Sequence, residues 1–187
     1  KEPVSQSFEA KIFEWLSTVK AKSRLGKKAP TTFVDCSHAI HELRLIKSKA
    51  ELALMRKVNQ ISGLAHQRAM KQSEFGKFEY QIEAEILHEF AINGARFPAY
   101  ASIVAGGNNG NILHYTENAD PLKNKELLLI DAGAELGGYA ADITRTFPIN
   151  GRFSAAQKTL YQLVLDAQKL CINAIKPEST LTHLNEI

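Results

Sequence analysis

Residues 127–147, LLLIDAGAELGGYAADITRTF, decide the fold of this chain. The run 127–130 is apolar, and residues 140–147 alternate between small or polar side chains and apolar ones. Between these two runs, Gly137 and Gly138 are residues typical of a turn. Two alternating or apolar runs joined by such a turn predict a β-hairpin.

The hairpin admits two registers, and both place Asp131 and Asp142 on one face of the ladder, because side chains alternate with period two. With the turn centred on residues 136–137, Asp131 lies directly opposite Asp142. With the turn centred on residues 137–138, Asp131 faces Thr144 and Asp142 lies diagonal to it. The sequence leaves the choice between these registers open.

Two carboxylates on one face of a ladder repel each other, since like charges across the strands are destabilising. A divalent metal ion between Asp131 and Asp142 would reverse that sign. The alternatives are a solvated edge, or a turn residue that hydrogen-bonds its own backbone. The apolar strand before Asp131 favours the metal ion, because a charge within a hydrophobic strand rarely lacks a partner.

The composition predicts a soluble globular protein that binds neither nucleic acid nor membranes. Of 187 residues, 44% are hydrophobic and 23% are charged, and the net charge of +3 is too small for an electrostatic surface of either kind. Neither a signal peptide nor a long apolar run is present. The two cysteines, Cys36 and Cys171, form no Cys-x-x-Cys motif. They favour a reducing compartment, so we expect a cytoplasmic protein.

Local patterns predict the remaining elements. Apolar periodicity predicts helices over residues 7–22, 48–71 and 78–93 and from residue 154. The helices at Ser48 and Ser154 each begin with a capping box. β-branched and aromatic runs predict strands over residues 31–36, 100–105 and 112–115. The last of these holds His114, whose apolar neighbours could simply bury a satisfied imidazole, and residues 66–68 are interpreted as the polar flank of their helix.

Five segments, met in this order, resemble the pita-bread metallopeptidases and most closely the Xaa-Pro aminopeptidases. They are HELRLIKS (41–48), GARFPAYASIVAGG (94–107), ILHYTEN (112–118), the hairpin with its continuation PINGRF (127–153), and IKPESTL (175–181). The resemblance implies an α+β fold in which an antiparallel sheet is covered by helices. It further implies that residues 45–187 are the first half of a pita-bread catalytic domain and residues 1–44 the tail of an N-terminal α/β domain.

The same resemblance implies the roles of five residues. Asp131 and Asp142 match two ligands of a pair of divalent metal ions, and Mn²⁺ is the ion expected. His114 matches a catalytic histidine near the scissile bond, and Tyr100 and Thr144 match residues that orient the ligands. The implied reaction removes the N-terminal residue of peptides with proline at the second position.

The chain also departs from the family pattern. Three further ligands, a histidine and two glutamates, follow later in that pattern, and residues 148–187 do not offer them. Together with a first residue other than methionine, this predicts an internal fragment whose metal site is incomplete and whose apolar faces favour a homo-oligomer. A prolidase-type dipeptidase and a non-catalytic pita-bread binding module remain as alternatives.

Overall fold

The computed structural model describes residues 7–187, which divide into two compact units. The first unit ends at Lys47, and the second runs from Ser48 to Ile187. Within the described residues, no helix is both long and apolar enough to cross a lipid bilayer. The assignment of residues 1–44 to the tail of another domain stays a prediction.

The first unit is helical. Helix α1 (Phe8–Ala21) begins after Ser7, whose Oγ accepts a hydrogen bond from the amide of Ala10, and this confirms the helix predicted there. Helix α2 is Ser37–Leu45. The strand predicted over residues 31–36 is wrong, because every strand in the described part of the chain lies after residue 96 and none pairs with this segment.

The second unit contains six short strands: β1 (Phe97–Pro98), β2 (Ile103–Gly106), β3 (Leu127–Asp131), β4 (Ala134–Leu136), β5 (Tyr139–Ala140) and β6 (Thr144–Pro148). They form two antiparallel sheets, in the orders β1-β4-β5 and β2-β3-β6. The predicted hairpin contributes to both sheets, since its inner ladder is β4–β5 and its outer ladder is β3–β6.

The hairpin adopts the register that pairs Asp131 with Thr144. Gly137 and Gly138 have φ values of +59° and +84°. Positive φ at both central residues is what a two-residue type I′ turn requires, and that turn matches the twist of the strands. The turn is therefore centred on these two glycines.

Four helices complete the second unit: α3 (Lys49–Gln72), α4 (Glu79–Ile92), α5 (Ala155–Ala174) and α6 (Leu181–Asn185). The capping boxes predicted at Ser48 and Ser154 are both present. Helices α3 and α4 pack against each other and on the strands, and the side chains of this core include Val58, Ile61, Ile82, Ile86, Phe90, Leu128 and Ile130. Burying an aliphatic or aromatic side chain of this size stabilises the fold by about 1.5–3 kcal/mol. The predicted architecture, antiparallel strands covered by helices, is confirmed.

Two strand predictions need correction. The strand expected over residues 100–105 is β2, which begins only at Ile103. The strand expected over residues 112–115 is wrong, because His114 lies in a turn with φ +56°. A residue with that left-handed backbone cannot belong to a β-ladder.

Candidate metal centre

The hairpin places its two carboxylates at the junction of the two sheets. Asp131 is the last residue of β3, and Asp142 lies between β5 and β6. The amide of Ala132 donates to the carbonyl of Ile143, and the amide of Ala141 donates to the carbonyl of Ala134. The register is therefore continuous from one ladder to the other, and Asp142 stays diagonal to Asp131.

Gly133 lies between those two hydrogen bonds, and only glycine fits there. A Cβ atom at this position would stand 1.7 Å from the carbonyl oxygen of Ala141. The strands thus approach each other as closely as their backbones allow at the level of Asp142. Gly133 is the residue whose lack of a side chain permits this approach.

Tyr100 joins the two carboxylates. Its hydroxyl lies 2.5 Å from Oδ1 of Asp131 and 3.2 Å from Oδ1 of Asp142. A phenol has one proton to donate, so the two carboxylates share a single donor. Burial, and then the hydrogen bond and charge of Asp131, raise the pKa of Tyr100 well above its ordinary value. The hydroxyl consequently keeps its proton beside the two negative charges.

A cavity of about 380 Å³ opens onto this group. It is lined by Tyr100, Ala101, Ile103, His114, Thr116, Asp131 and Asp142. Four of the five residues singled out from the sequence therefore line one cavity, although their positions span 43 residues of sequence. The fifth, Thr144, pairs with Asp131 across the ladder and is solvent-exposed. The imidazole of His114 is also exposed, so the alternative of a buried, satisfied histidine is wrong.

The donor chemistry of this cavity fits part of a divalent-metal site. Asp131 and Asp142 offer hard carboxylate oxygens, which Mg²⁺, Ca²⁺ and Mn²⁺ prefer. Asp142 is exposed and Asp131 is half-buried, so the pair is accessible from the cavity. In residues 7–187, no group of three or more His, Cys, Asp or Glu side chains is arranged to hold a metal ion. The two carboxylates could thus supply only part of a coordination shell.

The interpretation of His66 as part of the polar flank of its helix is wrong, because this histidine is buried beside the carboxylates. His66 of α3 is 3% exposed, and its Nε2 lies 3.1 Å from the carbonyl oxygen of Ala132. One turn earlier, the hydroxyl of Ser62 accepts a hydrogen bond from the amide of Ala134. Both side chains therefore fasten the hairpin to α3 next to Asp131. The signal was present in the spacing of four that links Val58, Ser62 and His66.

Comparisons with known proteins identify the family of this chain. The sequence pattern of metallopeptidase family M24 matches residues 53–187. The chain is 45% identical over 169 residues to the Xaa-Pro aminopeptidase of Escherichia coli (strain K12), an alignment that covers 90% of this chain and 38% of that protein. The chain thus spans about two fifths of the length of this relative and of the Xaa-Pro aminopeptidase of Haemophilus influenzae.

Solved structures of aminopeptidase P have a backbone similar to that of this chain. Proline aminopeptidase P II from Yersinia pestis superimposes with a TM-score of 0.92 at 46% identity, covering 99% of this chain and 43% of that one. A zinc-substituted E. coli aminopeptidase P in complex with product gives a TM-score of 0.91 at 41% identity, covering 97% and 42%. These likenesses confirm the predicted fold class, part of a pita-bread fold.

Proposed function

Because this chain belongs to metallopeptidase family M24, we propose that the protein is a metal-dependent aminopeptidase that releases the N-terminal residue preceding proline. The relatives named Xaa-Pro aminopeptidase support this specificity. The observation that carries the proposal is the hydroxyl of Tyr100, which draws Asp131 and Asp142 together in one cavity with His114.

In this proposal the two carboxylates hold part of the oxygen shell of two divalent metal ions. Mn²⁺ is the proposed ion, because carboxylate oxygens suit it. When bound, such ions lower the pKa of a water molecule and polarise a carbonyl oxygen. The zinc-substituted relative shows that the ion in that protein can be exchanged, so the choice of metal belongs among the measurements.

The other three residues act on orientation and protons. Tyr100 donates its hydroxyl proton to Asp131 and so fixes the direction in which that carboxylate points. Thr144, opposite Asp131 in the ladder, holds the neighbouring backbone position. His114 presents an exposed imidazole at the cavity, where it could donate a proton near the scissile bond.

We further propose that the protein acts in the cytoplasm as a homo-oligomer. Both cysteines are free thiols, which supports a reducing compartment. Leu160, Leu163 and Val164 on α5 are about two thirds exposed. An apolar stripe of this kind supports burial against another surface. Nucleic acids and membranes are not among the proposed partners, in line with the small net charge.

Hydrolysis of matched peptides tests the proposed activity. The protein, expressed with its complete natural sequence and loaded with Mn²⁺, is given one peptide with proline at the second position and one with alanine there. The proposal predicts release of the first residue from the proline peptide alone. Equal cleavage of the two would refute the proline specificity and leave a general aminopeptidase.

Two alternatives are separated by the same assay. A prolidase-type dipeptidase would cleave Xaa-Pro dipeptides and leave longer peptides intact, so a tetrapeptide with proline second distinguishes it. A non-catalytic binding module would cleave neither peptide with Mn²⁺, Zn²⁺ or Co²⁺. The paired carboxylates argue against this last alternative, because a protein without a cation has no use for a like-charge pair.

A further inference from the structure

Glu79, the first residue of α4, is a fully buried carboxylate outside the candidate metal centre. A buried negative charge is costly unless hydrogen bonds compensate it. Oε1 accepts from the amide of Gly106 at 2.7 Å and from Nδ2 of Asn109 at 3.0 Å. Oε2 accepts from the hydroxyl of Tyr115 at 2.7 Å and from the amide of Asp120 at 3.0 Å. All four donors belong to residues 106–120, the segment that carries His114.

The backbone at His114 has a left-handed conformation, which a non-glycine residue rarely adopts without support from its surroundings. His114 has φ +56°, and a non-glycine residue keeps that backbone only where its surroundings hold it. Its neighbour Tyr115 is buried, and burial together with the bond to Glu79 raises the pKa of Tyr115 to about 12. The phenol therefore remains a donor, and Glu79 fixes the residue immediately after His114.

A second anchor lies four residues after His114, on the same side of it as Tyr115. Asn118 also has a positive φ, +46°, and is 2% exposed. Its Oδ1 accepts from the amide of Val104 at 2.9 Å, and its Nδ2 donates to the carbonyl of Ser102 at 2.9 Å. The chain is exposed at residues 116 and 117, between the two anchors, and at His114, just before the first of them. His114 itself lines the cavity of Asp131 and Asp142.

We propose that Glu79 is a positioning residue for His114: it fixes the segment 106–120 so that the imidazole faces the carboxylate pair. An effect of Glu79 on catalysis rests on the proposed function. The anchoring of segment 106–120 by Glu79 rests on the hydrogen bonds alone. A glutamine at position 79 could not accept hydrogen bonds from all four donors that Glu79 binds. In Glu79→Gln the side-chain NH₂ would face the amide of either Gly106 or Asp120, and one buried donor would be left without an acceptor.

Kinetics in two backgrounds test whether Glu79 acts through His114. We expect E79Q to lower kcat on a proline-second peptide by about 10- to 100-fold, the range that follows a displacement near 1 Å. KM and Mn²⁺ content should change less than about threefold, because the carboxylate pair is untouched. In an H114A background the same substitution should lower kcat by less than about twofold, since the residue it positions is gone. An equal loss of kcat in both backgrounds would overturn the proposal.

The matched control is Glu85→Gln on the same helix. Glu85 pairs with Arg68 at 2.6 Å and has no contact with the segment 106–120 among the described hydrogen bonds and ion pairs. Its substitution removes a surface ion pair of α4, so kcat should stay within about twofold of wild type. A loss in E85Q as large as in E79Q would show that α4 merely needs its stability, and would overturn the positioning role.

Amide hydrogen exchange tests the structural meaning without any activity. E79Q should speed exchange of residues 112–120 and leave α3 unchanged, because local opening follows the loss of local bonds. Should wild type hydrolyse no Xaa-Pro peptide, the proposed function fails and exchange alone decides: faster exchange supports the role of Glu79, and unchanged exchange overturns it.

If E79Q does not fold, Tyr115→Phe, which removes one of the four donors, replaces it. It should show the same changes to a smaller extent, and wild-type exchange in Y115F would refute the proposal.

Discussion

Replacing Asp142 with asparagine separates two effects of the carboxylate pair: the repulsion between the charges without metal, and the stabilisation that metal binding provides. Both Oδ1 atoms contact the hydroxyl of Tyr100, at 2.5 and 3.2 Å, so they are separated by less than about 6 Å. At that separation, two unit charges repel by about 0.7 kcal/mol in water and about 3 kcal/mol at an effective dielectric constant of 20. Asp142 is exposed and Asp131 half-buried, so the lower figure applies.

Without metal, the free energy of unfolding of D142N should therefore equal that of wild type or exceed it by up to about 1 kcal/mol. The amide keeps a carbonyl oxygen for Tyr100, and the repulsion is gone. With Mn²⁺ the order should reverse. Wild type gains about 2.7 kcal/mol at a metal concentration of 100 times Kd, whereas D142N gains little because a ligand is missing.

Chemical denaturation of both proteins, with complete natural sequence and with or without Mn²⁺, measures these four free energies. Asp166→Asn is the control, because Asp166 is an exposed aspartate of α5 whose hydrogen-bond partner is Gln162 of the same helix. It should behave as wild type in both conditions. A loss of more than about 2 kcal/mol in metal-free D142N would refute the reasoning, since it would mean that the carboxylate serves the fold through hydrogen bonds.

Two further substitutions test the supports of the hairpin. Gly133→Ala should destabilise the protein by more than about 3 kcal/mol and abolish Mn²⁺ binding, because its Cβ would collide with the carbonyl of Ala141; a soluble variant with wild-type denaturation and metal titration would contradict this close approach. His66→Gln tests a pH dependence. Burial lowers the pKa of His66, so the folded state favours the neutral ring. The stability gained in this way is complete above the pKa of the ring in the unfolded chain, near 6.5. It is lost as the pH falls through the pKa of the ring in the folded protein. Denaturation of wild type and H66Q at pH 8, 7, 6 and 5 should show the advantage of wild type shrinking below about pH 6.5, and a difference independent of pH would mean that the ring carries the same charge in both states.

The orphaned nitrogen of His66 is consistent with that neutral form. Nε2 lies next to the carbonyl of Ala132 and so carries the proton, while Nδ1 is buried and has no hydrogen-bond partner among the described residues. Protonation would put a positive charge on a buried ring, which burial disfavours. The histidine thus acts as a fixed donor that holds the hairpin to α3.

Sequence patterns of short range determined much of this protein by themselves. The apolar run, the Gly-Gly pair and the alternation after it specify the hairpin, because strand period and turn geometry are properties of adjacent residues. The capping boxes at Ser48 and Ser154 specify helix starts for the same reason. Ordered motifs then indicated the family and, with it, the five residues proposed for the site.

The tertiary structure decided what depends on distant partners. The strand expected over residues 31–36 is absent because no other strand of the described residues pairs with this segment. His114 lies in a turn, and the residue after it donates a hydrogen bond to Glu79, which is 36 residues earlier in the chain than that donor. The burial of Glu79 gave no signal in the sequence, since a polar side chain on a helix looks solvated until something packs on it. His66 shares a spacing of four with Val58 and Ser62, but only the packing of the hairpin on α3 shows that it is buried. The sequence left open two hairpin registers that differ by two residues, and the folded chain has the one that pairs Asp131 with Thr144. Pairing of β2 with β3 brings Tyr100, three residues before β2, to the two aspartates. Tyr100 and Asp131 are 31 residues apart in the sequence, and no local pattern encodes such a contact.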